Sequence, residues 1–259
     1  MLIGLNISER AHLDGDIIAY RCAAANKDED VNIACWQAGE MVQRILHETN
    51  ALSYNCFLTG GGNFRFDVYP DYKGNRKDVP KPKHLAAIRE YLVVKWNAKV
   101  SDGCEADDLM GVEQCAEPEG SVICTIDKDL LMIPGLHYNF VKKEFQTVSP
   151  LQGLRHFYWQ LIMGDKTDNI PGYDGKMRQK VPQFLYPVME KLEAMTEEKD
   201  MLELVRGMYS YDDERLTLSA KCLWIWRKDN DIWSWPIEKD NGVDGSEDES
   251  FHYFGTSSL

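Results

Sequence analysis

The stretch Ser-Val-Ile-Cys-Thr-Ile-Asp-Lys-Asp, residues 121–129, joins a short apolar run to two closely spaced acids. Such a run, bounded by polar residues, is typical of a strand buried on both faces of a parallel sheet. Asp127 and Asp129 follow the run directly, so both leave the sheet at the carboxyl end of this strand. Open α/β sheets bind their ligands at that edge. The stretch therefore predicts an α/β fold with a candidate site beyond this strand.

The rest of the first half alternates strand-like and helix-like patterns. Further strands are predicted at His12–Leu13, Tyr54–Leu58 and His137–Val141, and helices at Trp36–His47, His84–Trp96 and Glu105–Cys115. This alternation is typical of a mostly parallel sheet flanked by helices. After Gly153 the pattern becomes helical throughout, at Leu154–Met163, Gln183–Met195, Lys199–Tyr209 and Glu214–Trp226.

These patterns divide the chain into three predicted parts. We expect an α/β domain at 1–163, a helical subdomain at 164–228 and an acidic tail at 229–259. The tail lacks periodicity, which favours disorder or loose packing. Trp224, Trp226, Trp233 and Trp235 are interpreted as packing residues rather than as a nucleic-acid platform, since large apolar side chains are mostly buried.

Length and composition narrow the class of protein. The 259 residues are enough for one large domain or two small ones, and 44% are hydrophobic. No run of about 18 apolar residues occurs, and residues 1–16 lack the pattern of a secretion signal, so no membrane span or export is expected. The seven cysteines are scattered without metal-binding spacing, which favours reduced thiols in a cytoplasmic protein, host cytoplasm if the protein is viral, over a zinc site.

Charge is unevenly distributed along the chain. The net charge is −13, but residues 73–99 carry eight Lys and Arg against two acids. Within this segment, the tract Asp71–Lys83 contains Gly74, Pro80 and Pro82 and is interpreted as a basic loop. Residues 229–250 have eight acids against one Lys, so the tail accounts for much of the acidity. A local phosphate-binding surface is therefore compatible with the overall negative charge.

Four acidic clusters lie where strands end or helices start. They are Asp14-Gly15-Asp16, Glu105-Ala106-Asp107-Asp108, Asp127-Lys128-Asp129 and the pair Asp165 and Asp168. Each cluster alone is explained equally well by a turn or a helix cap. Together they suggest a metal site, because convergent carboxylates without cations repel one another at a cost of several kcal/mol. Oxygen ligands favour Mg²⁺ or Mn²⁺, and two such ions can clamp a phosphoryl displacement.

The helical geometry of the second cluster makes a specific prediction. Glu105 and Asp108 are three residues apart and should share one face of a helix, with Asp107 rotated away unless the first turn is irregular. One of the three carboxylates is then expected to act indirectly.

Five stretches, in this order, resemble the flap endonuclease and 5′→3′ exonuclease family, which has a PIN-like fold. The resemblance is to its bacteriophage members and to the 5′-nuclease domains of bacterial DNA polymerases. The stretches are LDGDIIAYR (13–21), DYKGNR (71–76), GCEADDL (103–109), TIDKDLLMIPG (125–135) and LIMGDKTDNIPG (161–172). They extend over about 160 residues of the chain.

The resemblance implies a role for individual residues. It assigns Asp14, Glu105 and Asp107 to a first metal site with Asp108 nearby, and Asp127, Asp129, Asp165 and Asp168 to a second. Asp14, Asp127 and Asp165 would then be catalytic. Lys73 and Arg76 correspond to basic residues of a gateway or arch, here within 71–99, that touch the scissile phosphate; Lys77 would also bind nucleic acid. Tyr20 matches an aromatic that stacks on a terminal base. A solvated loop face remains the alternative for Lys73 and Arg76, and a core position the alternative for Tyr20.

Two departures from the family pattern stand out. Residues 58–66 read LTGGGNFRF, with glycines where another metal-linked Asp is usual, so the first site is weaker or Asp16 compensates. Residues 172–182 lack the usual Gly-x-Gly turn of a duplex-binding hairpin, and Lys176, Arg178 and Lys180 are expected to bind the backbone electrostatically instead.

The sequence thus predicts a monomeric, two-Mg²⁺ (or Mn²⁺) nuclease that hydrolyses DNA at a 5′ end or 5′ flap in phage-type DNA replication or degradation, alongside replication proteins. Whether it acts as exonuclease or flap endonuclease depends on whether the basic tract closes into an arch. Three alternatives stay open: a PIN-type ribonuclease, a catalytically impaired DNA-structure-binding module, and a phosphatase with an Asp-x-Asp start.

Overall fold

The computed structural model describes residues 8–236, and its centre is a six-stranded sheet. The strands are β1 (Arg10–Asp14), β2 (Ser53–Leu58), β3 (Lys99–Val100), β4 (Ser121–Cys124), β5 (Gly135–Asn139) and β6 (Glu144–Val148). Their spatial order is β3-β2-β1-β4-β5-β6. All neighbouring pairs are parallel except β5 and β6, which are antiparallel. The prediction of a mostly parallel sheet is confirmed.

The strand order changes direction between β1 and β4. From β1 the chain proceeds outward to β2 and β3, and from β4 it proceeds outward on the other side. Leu13 lies opposite Cys56 on one neighbour and Cys124 on the other. A crevice forms at the carboxyl ends of strands on either side of such a reversal, because the following connections diverge to opposite faces.

Helices cover both faces of the sheet and continue beyond it. They are α1 (Gly15–Ala25), α2 (Val31–Thr49), α3 (Arg65–Val68), α4 (Leu85–Trp96), α5 (Ala106–Ala116), α6 (Pro150–Met163), α7 (Tyr186–Ala194), α8 (Glu198–Met208) and α9 (Asp213–Leu223). A two-stranded hairpin, β7 (Gly164–Asp165) and β8 (Ile170–Pro171), follows α6. No helix within residues 8–236 is long and apolar enough to cross a membrane.

The helix boundaries follow from local sequence. The start of α6 is fixed by Ser149, whose hydroxyl accepts the Gln152 N–H while the Gln152 side chain accepts the Ser149 N–H, with Pro150 at the first position. In α2 the spacing of Ala34, Ala38 and other apolar residues buries one face, chiefly against the neighbouring helices α1 and α4. Sequence patterns therefore placed both helices, although α2 begins five residues before the predicted start at Trp36.

Two hydrophobic clusters hold the layers together. One joins α1, α2 and α4 to one face of the sheet. The other includes Phe57 and Ile123 from the sheet, Phe157 of α6, and Leu216 of α9. The predicted helical subdomain at 164–228 thus shares a continuous core with the α/β part.

Three features differ from the sequence predictions. Neither β3 nor β6 was expected: β3 has two residues, and β6 exposes four of its five and lacks an apolar pattern. The tail was expected to be loose from residue 229, but Trp233 is buried in the second cluster, next to Phe157. The packing interpretation of the tryptophans is confirmed for Trp226 and Trp233. The acidic remainder, 237–259, lies outside the described residues.

Candidate active site

A cavity of about 920 Å³ opens at the carboxyl edge of the sheet, between the ends of β1 and β4. Seven of the eight carboxylates predicted as metal ligands line it, together with Asp16 and five Lys and Arg residues. The seven are Asp14, Glu105, Asp107, Asp127, Asp129, Asp165 and Asp168, and the basic residues are Lys73, Arg76, Lys128, Lys166 and Arg178. The four acidic clusters therefore converge on one cavity rather than capping separate helices on separate faces.

Asp14 is held at the last position of β1 by two hydrogen bonds. Its carboxylate accepts the Ile17 N–H at 2.9 Å, which caps α1, and the Thr125 hydroxyl at 2.6 Å. Thr125 lies just past β4 and also accepts the Asp127 N–H at 2.9 Å. One threonine thus fixes the relative position of two acids from adjacent strands. Asp14 therefore caps α1 and also lines the cavity.

The loop after β4 directs two further acids into the cavity. Asp127 accepts the Asp129 N–H at 2.9 Å, forming a tight turn that brings both side chains to the same wall. Gln160 of α6 donates to Asp129 at 2.6 Å. The loop after α6 adds Asp165, whose carboxylate accepts the Asp168 N–H at 3.0 Å. Helix α6 therefore positions acids on both sides of the cavity.

The amino end of α5 presents Glu105 and Asp107 to the cavity. Glu105 is the cap residue, with extended backbone (φ −93°, ψ 164°), so it does not follow helical spacing. Asp107 is in the first turn, and its carboxylate accepts no hydrogen bond from residues 8–236. The prediction that Glu105 and Asp108 share the functional face is therefore wrong. The assignment implied by the family resemblance, which pairs Glu105 with Asp107, agrees with these positions.

Asp108 points away from the cavity and is completely buried. Its two oxygens accept from the guanidinium of Arg65 at 2.6 and 2.8 Å, and they also accept the N–H groups of Glu105 and Trp226. Arg65 in turn donates to the carbonyl oxygens of Cys222 and Trp224, at the end of α9. The expectation that Asp108 contributes to the metal site is thus corrected: it is a structural partner of Arg65.

The basic loop returns to the cavity and meets the acids there. The ammonium of Lys73 lies 2.5 Å from Glu105 Oε1 and 3.6 Å from Asp168 Oδ2. Arg76 donates to Asp168 at 2.8 Å. The Tyr72 hydroxyl lies 2.8 Å from an Asp168 oxygen and 3.1 Å from a Glu105 oxygen, and its proton can be donated to either. Lys73 and Arg76 therefore belong to the site and are not a solvated loop face.

Burial and mutual repulsion disturb the ionisation of these acids. Burial raises the pKa of Asp14 to about 7, and the charge of Asp127 adds to the effect. Burial, followed by the charges of Asp14 and Asp127, raises the pKa of Asp107 well above its usual value. Burial and the neighbouring acids Asp127 and Asp165 do the same to the pKa of Asp129. Negative charge is therefore in excess on this side of the cavity.

Basic residues reverse this effect at Glu105. Burial alone would raise the pKa of Glu105, but the charges of Lys73 and Arg65 lower it below its usual value. Burial alone would lower the pKa of Lys73, yet Glu105 and Asp168 raise it, so the ammonium stays charged. The cavity thus has an unbalanced acidic side at Asp14, Asp107 and Asp129, and a neutralised side at Glu105.

The donor set is suited to hard divalent cations, because every acid in the cavity offers carboxylate oxygen and the excess charge calls for a cation. Residues that could hold such ions are Asp14, Glu105, Asp107, Asp127, Asp129, Asp165 and Asp168. Across residues 8–236, however, no three His, Cys, Asp or Glu side chains lie close enough together to hold one ion.

The glycine-rich stretch after β2, where the family usually has a further metal-linked Asp, contributes Thr59 to the cavity. Thr59 lines the cavity, and its hydroxyl accepts the Ala106 N–H at 3.0 Å. Gly60 has no room for a side chain, since a Cβ there would lie 1.9 Å from the Ser101 carbonyl oxygen. Asp16 also lines the cavity, but Arg89 forms an ion pair with it. Asp16 is therefore already neutralised and is a poor substitute for the absent acid.

Of the other predicted nucleic-acid contacts, only one lies at the cavity wall. Arg178 lines it, held by an ion pair with Asp174. The side chains predicted to act with it are not part of the wall and are exposed: Tyr20, Lys77, Lys176 and Lys180. Tyr20 is 51% exposed on α1, which excludes the core interpretation and leaves the stacking role as a prediction.

Several residues that organise the site were missed from sequence. Arg65, Tyr72, Thr125 and Gln160 each bond to a predicted acid from a distant part of the chain. Tyr72 and Thr125 lie within stretches that resemble the family: Tyr72 directly precedes Lys73, and Thr125 is two residues before Asp127. Arg65 had a weaker signal, an arginine flanked by Phe64 and Phe66 at a helix start, where a lone charge has to find a buried partner.

A mostly parallel sheet with this strand order, whose carboxyl edge gathers acids around one cavity faced by a basic loop, defines a flap-nuclease fold. Residues 11–153 match the family described as 5′-3′ exonuclease, N-terminal resolvase-like domain. The chain belongs to this family.

Relatives and solved structures agree with that assignment. The chain is 28% identical over 211 residues to the thermostable DNA polymerase I of Thermus aquaticus, covering 74% of this chain and 25% of the relative. It is 29% identical over 240 residues to DNA polymerase I of Geobacillus stearothermophilus, covering 82% and 27%. The chain thus spans about a quarter of the length of the curated relatives it matches.

The fold is shared with bacteriophage T5 proteins. A T5 protein co-crystallised with metal ions superimposes with a TM-score of 0.58 at 17% identity, covering 83% of this chain and 89% of that one. The T5 flap endonuclease, in a pseudo-enzyme-product complex with DNA and metal ions, gives a TM-score of 0.54 at 17% identity, covering 82% and 90%.

Proposed function

We propose that this protein is a divalent-metal-dependent 5′ nuclease that hydrolyses phosphodiester bonds in DNA from a 5′ end or at a 5′ flap. The observation that carries the proposal is the cavity lined by seven predicted ligands and bordered by Lys73, Arg76 and Arg178. Acids in that number call for cations, and the basic border suits a phosphodiester backbone. Family membership and the T5 structure that contains DNA and metal ions support the same substrate and cofactor.

Two Mg²⁺ ions are the proposed cofactor, with Mn²⁺ as a substitute. The first is proposed to be held by Asp14 and Asp107 with Glu105, and the second by the acids after β4 and α6. Bound there, such ions would neutralise the acids, activate a water and stabilise the leaving oxygen.

The chain's own residues then orient the reaction. Thr125 holds Asp14 and the start of the Asp127 turn in register, and Gln160 fixes Asp129. Lys73 and Arg76 supply positive charge for the scissile phosphate, where charge develops in the transition state. A monomeric state, replication partners and a cytoplasmic location stay predictions from sequence.

The test is a Mg²⁺-titrated digestion of a 5′-labelled duplex and of a 5′-flap substrate, with product lengths read on a gel. Asp127→Asn should lower the hydrolysis rate at least about a hundred-fold while leaving the protein folded, because it removes a ligand from the reaction centre. Asp28→Asn changes an exposed acid that does not line the cavity, so it is the matched control and should cleave at the parent rate. Equal rates for the two variants would overturn the proposal.

The same assay separates the alternatives. Mononucleotide products identify an exonuclease, and a single cut at the flap junction identifies a flap endonuclease. Preference for a matched RNA flap would favour the PIN-type ribonuclease. DNA binding without cleavage in either Mg²⁺ or Mn²⁺ would favour the catalytically impaired module.

A further inference from the structure

The position of Lys73 within the acidic cavity raises a question that a phosphate-contacting role does not answer. Its ammonium is directed away from solvent and onto Glu105 and Asp168, at 2.5 and 3.6 Å. Its backbone has a positive φ of 53°, which is costly for a residue with a side chain. The Lys73 N–H donates to the Asp168 carbonyl at 2.9 Å. Side chain and backbone together therefore hold this lysine inside the cluster.

The acids that Lys73 contacts also face other protein donors. Glu105 Oε1 accepts from Asn63 at 2.8 Å as well as from Lys73. Asp168 accepts from Arg76 on one oxygen, and the one proton of the Tyr72 hydroxyl can go to the other Asp168 oxygen or to Glu105 Oε2. An ion that took Glu105 or Asp168 as a ligand would therefore compete with these donors.

The opposite side of the cavity is in a different state. Asp107 accepts no hydrogen bond from the described residues, and it lines the same cavity as Glu105. A divalent ion drawn to Asp107 could take Glu105 as a further ligand. The ammonium of Lys73 already lies on Glu105 Oε1, so it would repel an ion that approached this oxygen.

We propose that Lys73 is a displaceable counter-ion: its ammonium neutralises Glu105 and Asp168 in the ion-free protein, and a divalent ion that takes Glu105 as a ligand expels it. This inference rests on the proposed metal-dependent function and adds a coupling to it. The expelled ammonium, tethered by its backbone at the cavity edge, is then free to bind a substrate phosphate. Ion binding thus delivers the lysine to the substrate, and Lys73 and the ion compete for the same acid.

If Lys73 and a divalent ion compete for Glu105, the Lys73 variant should behave differently from one that only loses a phosphate contact. Removing Lys73 should tighten ion binding in the absence of DNA while it slows cleavage. Mn²⁺ binding to the full chain is measured by isothermal titration calorimetry without nucleic acid, for the parent, Lys73→Met and Lys77→Met. Lys77 is exposed in the same loop and lines no part of the cavity, so it is the matched control. We expect Mn²⁺ to bind Lys73→Met at least about five-fold more tightly than the parent, and Lys77→Met to bind like the parent.

A second measurement uses the unmodified protein and so does not depend on the variant folding. Lysine acetylation by a water-soluble reagent is quantified by mass spectrometry with and without Mg²⁺. Lys73 should become several-fold more reactive when Mg²⁺ is added, while Lys77 stays constant.

Unchanged or weaker Mn²⁺ affinity in a folded Lys73→Met protein overturns the counter-ion role, as does a Lys73 that stays equally protected in saturating Mg²⁺. Absence of Mn²⁺ binding to parent and variants alike is a different result, because it refutes the proposed metal site itself.

Discussion

Changing Asp108 to Asn removes a charge that the fold encloses completely. Asp108 and Arg65 are 0% and 2% exposed, and they form a two-bond ion pair at 2.6 and 2.8 Å. Asparagine keeps the shape but leaves the guanidinium buried without its counter-charge. Breaking a buried pair in this way costs about 3–5 kcal/mol. Against a total stability of about 5–15 kcal/mol, that is a large fraction.

The assay is urea and thermal unfolding of the full chain, and the comparison variant is the adjacent residue. Asp108→Asn should lower the melting temperature by roughly 6–20 °C, since 1 kcal/mol shifts a domain of this size by about 2–4 °C. Asp107→Asn should be as stable as the parent or more stable, because it removes a carboxylate that burial and the charges of Asp14 and Asp127 disfavour. The cleavage rate should depend more strongly on Asp107 than on Asp108, so the folded Asp107→Asn protein should be nearly inactive.

If the two variants unfold at the same urea concentration, or if Asp107→Asn is the less stable one, Asp108 is not the structural residue of the pair. A double variant, Arg65→Met with Asp108→Leu, adds a further check. It removes both charges, which would restore much of the loss if the pair were isolated. Arg65 also donates to two carbonyl oxygens at the end of α9, so each of those would stay unpaired at a cost of about 1–3 kcal/mol, and recovery should be incomplete.

Three further outcomes are expected. Gly60→Ala should destabilise by about 1–3 kcal/mol in urea, because a Cβ there lies 1.9 Å from a neighbouring carbonyl oxygen, whereas Gly61→Ala, with nothing within 4 Å, should be neutral. Trp233→Ala should cost about 3–5 kcal/mol by the same method, since this side chain is 4% exposed; a change under about 1 kcal/mol would contradict its core position. Mg²⁺ at a hundred times its Kd should stabilise the parent by about 2.7 kcal/mol, read as a rise in melting temperature. The rise should shrink in Asp107→Asn and persist in Asp28→Asn.

The parts of the fold that could be predicted are those with local causes. The run before Asp127 is apolar and continuous because β4 is buried on both faces, and that burial also fixes where the acids emerge. Asp14 follows from the same logic at β1. By contrast, β6 is mostly exposed, so its residues carry no burial pattern, and its position depends on pairing with β5.

The site was predicted in outline and missed in its connections. Helical spacing misjudged α5 because Glu105 is a cap with extended backbone, which shifts Asp107 toward the cavity and Asp108 toward Arg65. Arg65 lies 43 residues from Asp108 in the chain, so no local sequence pattern predicts that the two form an ion pair. The orientation of Lys73 likewise depends on a left-handed backbone that charge runs cannot reveal. The sequence therefore indicated which acids gather at the sheet edge but not their long-range partners, and it misassigned Asp108 for that reason.

The shared hydrophobic cluster has a practical consequence for anyone who wishes to dissect this protein. Phe57 and Ile123 from the sheet pack in the same cluster as Leu216 and Trp233. A recombinant fragment ending at residue 163 would therefore expose apolar residues on one face of the sheet to solvent, and we expect it to be insoluble when expressed alone. A protease that nicks the exposed segment around Lys176 should instead yield two pieces that co-elute on gel filtration until denaturant is added.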